Sequence, residues 1–176
     1  MTKTNILTQA VTDSDHAWGN PTASIVLVEY GDLQCPHCGR AFPIIRELKQ
    51  DMNEFVKFIF RHFPLSKIHP QAKQAAVATE AAARQHMFWP MHDMIFEHQK
   101  RLTNTALFEY AAILELDLSK FTMDVKDEEL HKKVDNDFMS GLRSGVNATP
   151  SFFINGQLYQ QSWEGNDLRN YLLSLV

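Results

Sequence analysis

The sequence holds two cysteines, Cys35 and Cys38, within the segment CPHC. Two thiols at this spacing can form a structural disulfide, supply half of a metal site, or act as a redox pair. A structural disulfide here would close a loop of four residues. Such a loop stabilises a fold by about 2 kcal/mol, against about 3 kcal/mol for a loop of about fifteen residues. The pair is therefore a weak staple for a chain of 176 residues.

A metal site would need further ligands, because structural zinc takes about four and usually combines one CxxC pair with another CxxC or an HxxxH pair. The sequence has no third cysteine, and its eight histidines are never three or four positions apart. His62 and His69 are seven positions apart, but Pro64 and Pro70 would interrupt a helix that carried both. We therefore predict no metal, while the staple and the metal site remain as alternatives.

Redox chemistry fits the local pattern, because a helix is predicted to begin near Pro36. Apolar residues recur at helical spacing after the CPHC segment, namely Phe42, Ile45, Leu48 and Met52. Cys35 would lie at the helix N-terminus, where unpaired N–H groups and the helix dipole favour a thiolate. Such sites lower the pKa of a cysteine from about 8.5 to about 3.5–7.5. Cys38, one turn further on, would be shielded and able to resolve a mixed disulfide.

Three neighbours of the pair are candidates for tuning its redox chemistry. Pro36 suits the first turn of a helix. His37 could donate a hydrogen bond to the thiolate or add positive charge, with a solvent-exposed turn residue as the alternative. Glu29 interrupts an apolar strand six residues before Cys35. Burial there would raise its pKa and let it relay protons, whereas at the end of the strand it would reach solvent.

Strands are predicted on both sides of the helix and again near the end of the chain. Residues 24–30 and 55–63 are short apolar runs rich in β-branched and aromatic residues, so with the helix between them they indicate a βαβ unit. Residues 151–154 and 157–160 flank an Asn-Gly pair, which is a strong hairpin signal. An amphipathic helix closes the chain.

Thr149 and Pro150 come directly before the predicted hairpin. X–Pro bonds are the main place where cis peptides occur. Because proline has no N–H, it leaves the strand edge free to pair with a peptide. The two residues are therefore candidates for substrate binding, with an ordinary trans turn as the alternative.

The middle of the chain, from about residue 69 to residue 144, has only helical periodicity. Residues 70–86 are rich in alanine, the strongest helix former. One stripe at helical spacing consists of Met91, Met94, Ile95 and His98. We interpret this and similar stripes as core packing, with no catalytic group among them.

Several segments carry a family resemblance: VLVEYGDLQCPHCGRAFP, FRHFPL, HPQAKQAA, FWPMHDMIFEHQ and GVNATPSFFINGQLY. In this order, from about residue 17 to residue 176, they resemble the DsbA-like branch of the thioredoxin superfamily. A CxxC at the first strand-to-helix turn of a βαβ unit fits that family. The resemblance implies Cys35 as the nucleophile, Cys38 as the resolving thiol and a cis Pro150 facing the pair. It also implies that Glu29 is the buried acid of the family.

We expect an α/β protein with a thioredoxin fold, βαβ followed by ββα, and an inserted all-helical domain. The thioredoxin-like domain is expected to comprise residues 21–66 and 146–176, and the helical domain residues 67–145. Residues 1–20 form a polar N-terminal segment that is expected to lack regular structure.

The expected function is thiol–disulfide exchange with protein or small-molecule thiols through the CPHC pair. One alternative is a DsbA-fold isomerase or glutathione-linked transferase, which does not need a CxxC, and another is a redox-inactive binding module. No cofactor is expected besides the cysteine pair. The expected partners are protein or peptide thiols and disulfides, with glutathione or a recycling reductase as further candidates.

Composition bears on partners and location. The net charge of −4 and the lack of basic clusters argue against nucleic acid. The longest aliphatic run, residues 25–28, is far shorter than the roughly 20 residues of a membrane span. The opening segment lacks the apolar region of a secretory signal, so we expect a cytoplasmic protein, with an exported protein whose signal was trimmed as the alternative. A pair at about −120 mV in a cytosol at about −250 mV would rest as a dithiol and act as a reductase or a thiol-exchange enzyme.

Overall fold

The structure is a computed structural model that describes residues 5–176. Its five-stranded sheet has the order β1-β3-β2-β4-β5. The strands are β1 (His16–Gly19), β2 (Ile25–Gly31), β3 (Val56–His62), β4 (Ser151–Ile154) and β5 (Gln157–Leu158). The helices are α1 (Pro36–Asp51), α2 (Ala72–Ala83), α3 (Phe88–Glu97), α4 (Asn104–Ile113), α5 (Leu118–Asp124), α6 (Glu128–Arg143) and α7 (Asp167–Leu173).

The predicted βαβ unit is confirmed, because β2 and β3 are parallel neighbours joined by α1. Leu27 of β2 is in register with Phe58 of β3. Both strands are buried along almost their whole length, as expected when both faces of a sheet are covered. This arrangement places the N-terminus of α1 at the carboxyl end of β2.

The predicted hairpin follows as β4 and β5. Its turn is Asn155–Gly156, and both residues have positive φ values, 47° and 81°. Tight two-residue hairpin turns require such values, which Asn and Gly adopt readily. Strand β4 runs antiparallel to β2 and brings Phe152 opposite Glu29. The C-terminal strands therefore complete the sheet beside the strand that leads into α1.

Five helices, α2 to α6, follow β3 and precede β4 in the chain. Nine of the twelve residues of α2 are buried, because α3, α4, α5 and α6 all pack against it. Its alanines allow that close approach. Glu80 of α2 also binds the sheet, with an oxygen 2.9 Å from Nε2 of His16 and 3.0 Å from Nε2 of His62. The helices are thus held to the sheet by a buried polar contact. The predicted domain boundaries stay predictions.

The expectation that residues 1–20 lack regular structure is wrong for residues 16–19. These residues form β1, which pairs antiparallel with β3 and places Trp18 opposite Phe58. Ile6 also makes an isolated bridge to Gln157. A four-residue strand is too short to show an alternating pattern, so its partner strand determines its structure. Residues 1–4 lie outside the described residues.

The N-terminal segment is held by Arg61, whose side chain is fully buried. The guanidinium donates to both carboxylate oxygens of Asp15, at 2.8 and 3.0 Å. It also donates to the carbonyl oxygens of Gln9 and Ala10, each at 3.0 Å, and to the hydroxyl of Tyr30 at 3.1 Å. Residues 9–15 are therefore fixed to β3 by one cation.

None of the helices described between residues 5 and 176 combines the length and apolar character that crossing a membrane requires.

Candidate active site

Cys35 is the N-cap residue of α1, and Pro36 occupies its first turn. The carbonyl oxygen of Cys35 accepts the N–H of Gly39 at 3.0 Å, which begins the hydrogen bonding of the helix. The side chain of Cys35 makes no capping hydrogen bond. The first N–H groups of α1, which have no partner within the helix, are thus available to its sulfur.

The two thiols have opposite tendencies to ionise. Hydrogen bonds lower the pKa of Cys35 to about 5, first from the side chain of Cys38, then from Thr149 and from the backbone of Cys38 and His37. Burial raises the pKa of Cys38 well above its ordinary value, and its hydrogen bond to Cys35 adds to this effect. Both cysteines are free thiols. They are 2% and 0% exposed, so ionisation distinguishes them better than exposure does.

Thr149 and Pro150 lie at the same site as the cysteines. The carbonyl oxygen of Thr149 is 3.6 Å from Sγ of Cys35. The Thr149–Pro150 bond is cis, and β4 starts at the next residue. The Thr149 hydroxyl oxygen is buried and has no hydrogen-bond partner among residues 5–176, so its proton is free to be donated to Cys35 when that sulfur ionises. Thr149 is therefore in contact with the candidate nucleophile, and Pro150 follows it in the chain.

Glu29 lies in β2 and is 4% exposed. Burial raises its pKa to about 8, and the positive charge of Lys49 offsets part of that effect. The charge of Glu29 in turn raises the pKa of Cys38. The carboxyl group is thus coupled electrostatically to the inner thiol.

Lys49 was missed by sequence reasoning. Its ammonium lies over the rings of Trp89, Trp18 and Phe58, at 4.1, 5.1 and 5.9 Å from their centroids. Burial lowers its pKa. A lysine in an amphipathic helix usually indicates a solvated face, so no signal in the sequence marked this one as half-buried beneath aromatic rings. Lys49 is the cation whose charge lowers the pKa of Glu29.

His37 is exposed, and its Nδ1 accepts a hydrogen bond from Arg40 at 2.9 Å. The backbone of His37 is among the groups that lower the pKa of Cys35. The tuning role predicted for the imidazole therefore stays a prediction, whereas the backbone N–H has an evident effect.

Asp32 was also missed, although it contacts both cysteines. Its carboxylate accepts the N–H of Cys35 at 3.1 Å, and its own N–H donates to Sγ of Cys38 at 3.4 Å. The same carboxylate binds Nδ1 of His69 at 2.8 Å. An Asp before a CxxC looks like any turn residue in the sequence. The partner, His69, is 37 positions away, so the pairing had no local signal.

A βαβ unit with a CxxC at the start of α1, completed by a C-terminal antiparallel hairpin, defines the class of this protein. The family model described as Thioredoxin matches residues 11–172. The chain therefore belongs to the thioredoxin family. The predicted thioredoxin fold and the resemblance to DsbA-like proteins are confirmed.

Solved structures of DsbA-like proteins share this fold. α-DsbA1 from Wolbachia pipientis is 26% identical, with a TM-score of 0.75, and the match covers 94% of this chain and 92% of that one. BdbD from Bacillus subtilis is 20% identical, with a TM-score of 0.83 and 97% of each chain covered. At that identity the second match shows the fold alone.

Curated relatives with higher identity are much longer proteins. The Na⁺/H⁺ antiporter NhaA 3 of Salinispora tropica is 42% identical over 145 residues, which are 82% of this chain and 22% of the relative. NhaA 1 of Mycobacterium sp. (strain KMS) is 38% identical over 159 residues, 89% of this chain and 26% of the relative. The chain thus spans about a quarter of these relatives, and the antiport in their names belongs to those whole proteins.

Proposed function

We propose that this chain is a thiol–disulfide oxidoreductase in which Cys35 is the attacking thiolate and Cys38 the resolving thiol. The observation that carries the proposal is the placement of Cys35 as the N-cap of α1 with the buried Cys38 one turn further on. This placement separates the two pKa values, with Cys35 lowered to about 5 and Cys38 raised well above its ordinary value. At neutral pH one sulfur is a nucleophile and the other is a protonated thiol that cannot compete with it.

The reaction proceeds through a mixed disulfide. The Cys35 thiolate attacks one sulfur of a substrate disulfide, forms a new S–S bond and releases the other substrate sulfur as a thiolate. Cys38 then loses its proton and attacks Sγ of Cys35, which releases the second substrate thiolate. The substrate gains two electrons and the chain becomes the Cys35–Cys38 disulfide. The reverse sequence oxidises a dithiol substrate.

Glu29 is the proposed proton acceptor for Cys38. Its pKa of about 8 allows it to take a proton and to return it near neutral pH. Its charge raises the pKa of Cys38, so the two groups do not both ionise easily. This coupling favours the transfer of one proton between them as the mixed disulfide resolves.

Thr149 is the proposed contact for the substrate chain. It lies beside Cys35 and two residues before the start of β4, so an extended peptide can pair with its backbone while a sulfur of the peptide reaches Cys35. Protein or peptide disulfides therefore fit the site, and the thiol–disulfide exchange protein α-DsbA2 from Wolbachia pipientis has the same fold. Glutathione or a reductase as the recycling partner, and the absence of any cofactor besides the cysteines, are part of this proposal.

Capture of substrates by the Cys38→Ser variant tests the roles of the two cysteines. This variant should accumulate mixed disulfides between Cys35 and a disulfide-bonded peptide, because the resolving thiol is gone. The matched Cys35→Ser variant should accumulate none. Mass spectrometry of the intact chain with and without reductant detects the adducts.

Equal turnover of peptide disulfides by Cys38→Ser and the parent would overturn the assignment. Absence of exchange in the parent would favour the redox-inactive binding module, and turnover in both single variants would favour the isomerase or transferase. The cytoplasmic location stays a prediction. The equilibrium of the cysteine pair in glutathione buffers decides which direction of reaction the chain favours in a given compartment.

A further inference from the structure

The carboxylate of Asp32 is 1% exposed and has four hydrogen-bond donors. One oxygen accepts the N–H groups of Gln34 and Cys35, at 2.8 and 3.1 Å. The other accepts the N–H of Leu65 and binds Nδ1 of His69, each at 2.8 Å. A buried carboxylate is stable only with such a full set of partners, so each donor helps to hold it in place.

The backbone of Asp32 connects this carboxylate to the reacting sulfurs. Its N–H donates to Sγ of Cys38 at 3.4 Å, and its carbonyl oxygen accepts the N–H of Cys35 at 3.1 Å. Residues 32–35 therefore form a turn whose geometry depends on Asp32. That turn presents Cys35 as the N-cap of α1.

A second pair of side chains fastens the same two segments. Gln34 accepts the N–H of Gln71 at 2.7 Å, and its own amide donates to the side chain of Gln71 at 3.4 Å. Residues 65–71 thus hold residues 32–35 at several points. Of the four donors to the Asp32 carboxylate, three are backbone N–H groups and the fourth is the side chain of His69.

We propose that His69 is a positioning residue for the exchange reaction: it holds the Asp32 carboxylate, which fixes the turn that presents Cys35. This inference rests on the function proposed above. The side chain of His69 is 16% exposed, and its described hydrogen bond is to Asp32, so it acts through that residue. Without His69 the Asp32 carboxylate loses a donor, so it holds the turn at residues 32–35 less firmly and the N–H groups at the start of α1 are aligned less well with the Cys35 sulfur.

The test measures two properties of Cys35, its thiolate titration by absorbance and the equilibrium constant of the pair in glutathione buffers. For His69→Ala we expect the titration midpoint to rise by about half a pH unit, which is about a threefold change in ionisation. The equilibrium should shift toward the disulfide form by a similar factor, because the reduced anion is less stabilised. His69→Asn should lie nearer the parent, since its amide can still donate to Asp32.

Two further variants keep the test decisive. His69→Leu keeps bulk without a donor and serves if His69→Ala does not fold. His131→Ala is the matched control, because His131 is also half-buried and its ring contacts a single backbone carbonyl, that of Val125 at 3.0 Å. It should leave both properties of Cys35 at the parent values.

Parent values in both His69→Ala and His69→Leu would overturn the inference while leaving the proposed function intact. A parent chain that exchanges disulfides neither with glutathione nor with a disulfide-bonded peptide would instead refute the proposed function itself. Equal shifts in His131→Ala and His69→Ala would show a general structural effect and would also overturn the inference.

Discussion

The carbonyl oxygen of Thr149 lies 3.6 Å from Sγ of Cys35, although 114 positions separate the two residues in the sequence. The contact exists because β4 is the antiparallel neighbour of β2, the strand that leads into α1. The site thus combines a helix N-terminus from one part of the chain with the start of a strand from the other. A thiolate and an edge for an extended substrate are brought to one place.

Thr149→Val should make Cys35 harder to ionise. The Thr149 side chain contributes to the low pKa of Cys35, and valine keeps its shape without the hydroxyl. We expect the titration midpoint of Cys35 to rise by about 0.5–1 unit, the effect of one hydrogen bond to a charged group. Thiolate absorbance followed against pH measures it.

The control for that experiment is Ser151→Ala, because the Ser151 hydroxyl donates to the carbonyl oxygen of Ala148 rather than to a cysteine. Its midpoint should equal that of the parent. An unchanged midpoint in Thr149→Val would show that the backbone groups and Cys38 suffice to hold the thiolate.

The stability of the dithiol form should increase with pH because of Cys35. Its pKa is about 5 in the folded chain, below the value of about 8.5 for a free cysteine. A lowered pKa contributes stability that is fully present above the unfolded value and is lost as the pH falls through the folded value. After allowance for screening, we expect the contribution to be on the order of 2 kcal/mol.

Urea unfolding of the reduced parent and of Cys35→Ser at about pH 5 and at about pH 9 isolates this contribution. The difference in unfolding free energy between the two chains should grow with pH. A difference that is the same at both pH values would mean that Cys35 has an ordinary pKa.

Glu29→Gln should stabilise the chain and slow the resolution of mixed disulfides. The pKa of Glu29 is raised to about 8, so the folded state is penalised increasingly as the pH rises from the ordinary carboxyl value through about 8. Glutamine is never charged, so its advantage should reach on the order of 2 kcal/mol above that pH. It cannot accept a proton from Cys38, so release of substrate should slow.

Unfolding in urea and quenched-flow analysis of the mixed disulfide measure these two effects. Glu47→Gln is the control, because it makes the same carboxyl-to-amide change at an exposed position. A variant that resolves mixed disulfides at the parent rate at every pH would remove Glu29 from the proton transfer.

Local patterns predicted the elements that carry the cysteines. The apolar runs became β2 and β3, the helix starts at Pro36, and the Asn155–Gly156 pair forms the hairpin turn. Each of these features depends mainly on neighbours in the sequence. Helix-end electrostatics then follow from the position of Cys35 alone.

The polar surroundings of the site could not be predicted in the same way. Lys49 looks like a solvated helix residue until Trp18 and Trp89 are brought over it. Asp32 and His69 form a pair only when the segment after β3 folds back onto the CPHC turn. Such contacts are set by tertiary packing, which periodicity does not encode.

Arg61→Ala should destabilise the fold while leaving the chemistry of the cysteines unchanged. The fully buried guanidinium holds Asp15 and the carbonyl groups of Gln9 and Ala10 against β3. Its loss leaves a carboxylate that is 5% exposed without its charged partner, so we expect a cost of about 3–5 kcal/mol. Arg46→Ala is the matched control, because its pair with Glu97 is half exposed and should be worth less than about 1 kcal/mol.

The measurements are urea unfolding and amide hydrogen exchange of residues 7–15, which should lose protection in Arg61→Ala. The loss of unfolding free energy in Arg61→Ala should be smaller in acid than at neutral pH. Asp15 has a lowered pKa, so its contribution to stability is present above the ordinary carboxyl value and disappears as the pH falls through the folded value. Thiolate titration of folded Arg61→Ala should match the parent, because Arg61 binds the N-terminal segment and not the CPHC turn. Equal stability of Arg61→Ala and Arg46→Ala would show that packing alone, and not this cation, holds the N-terminal segment to the sheet.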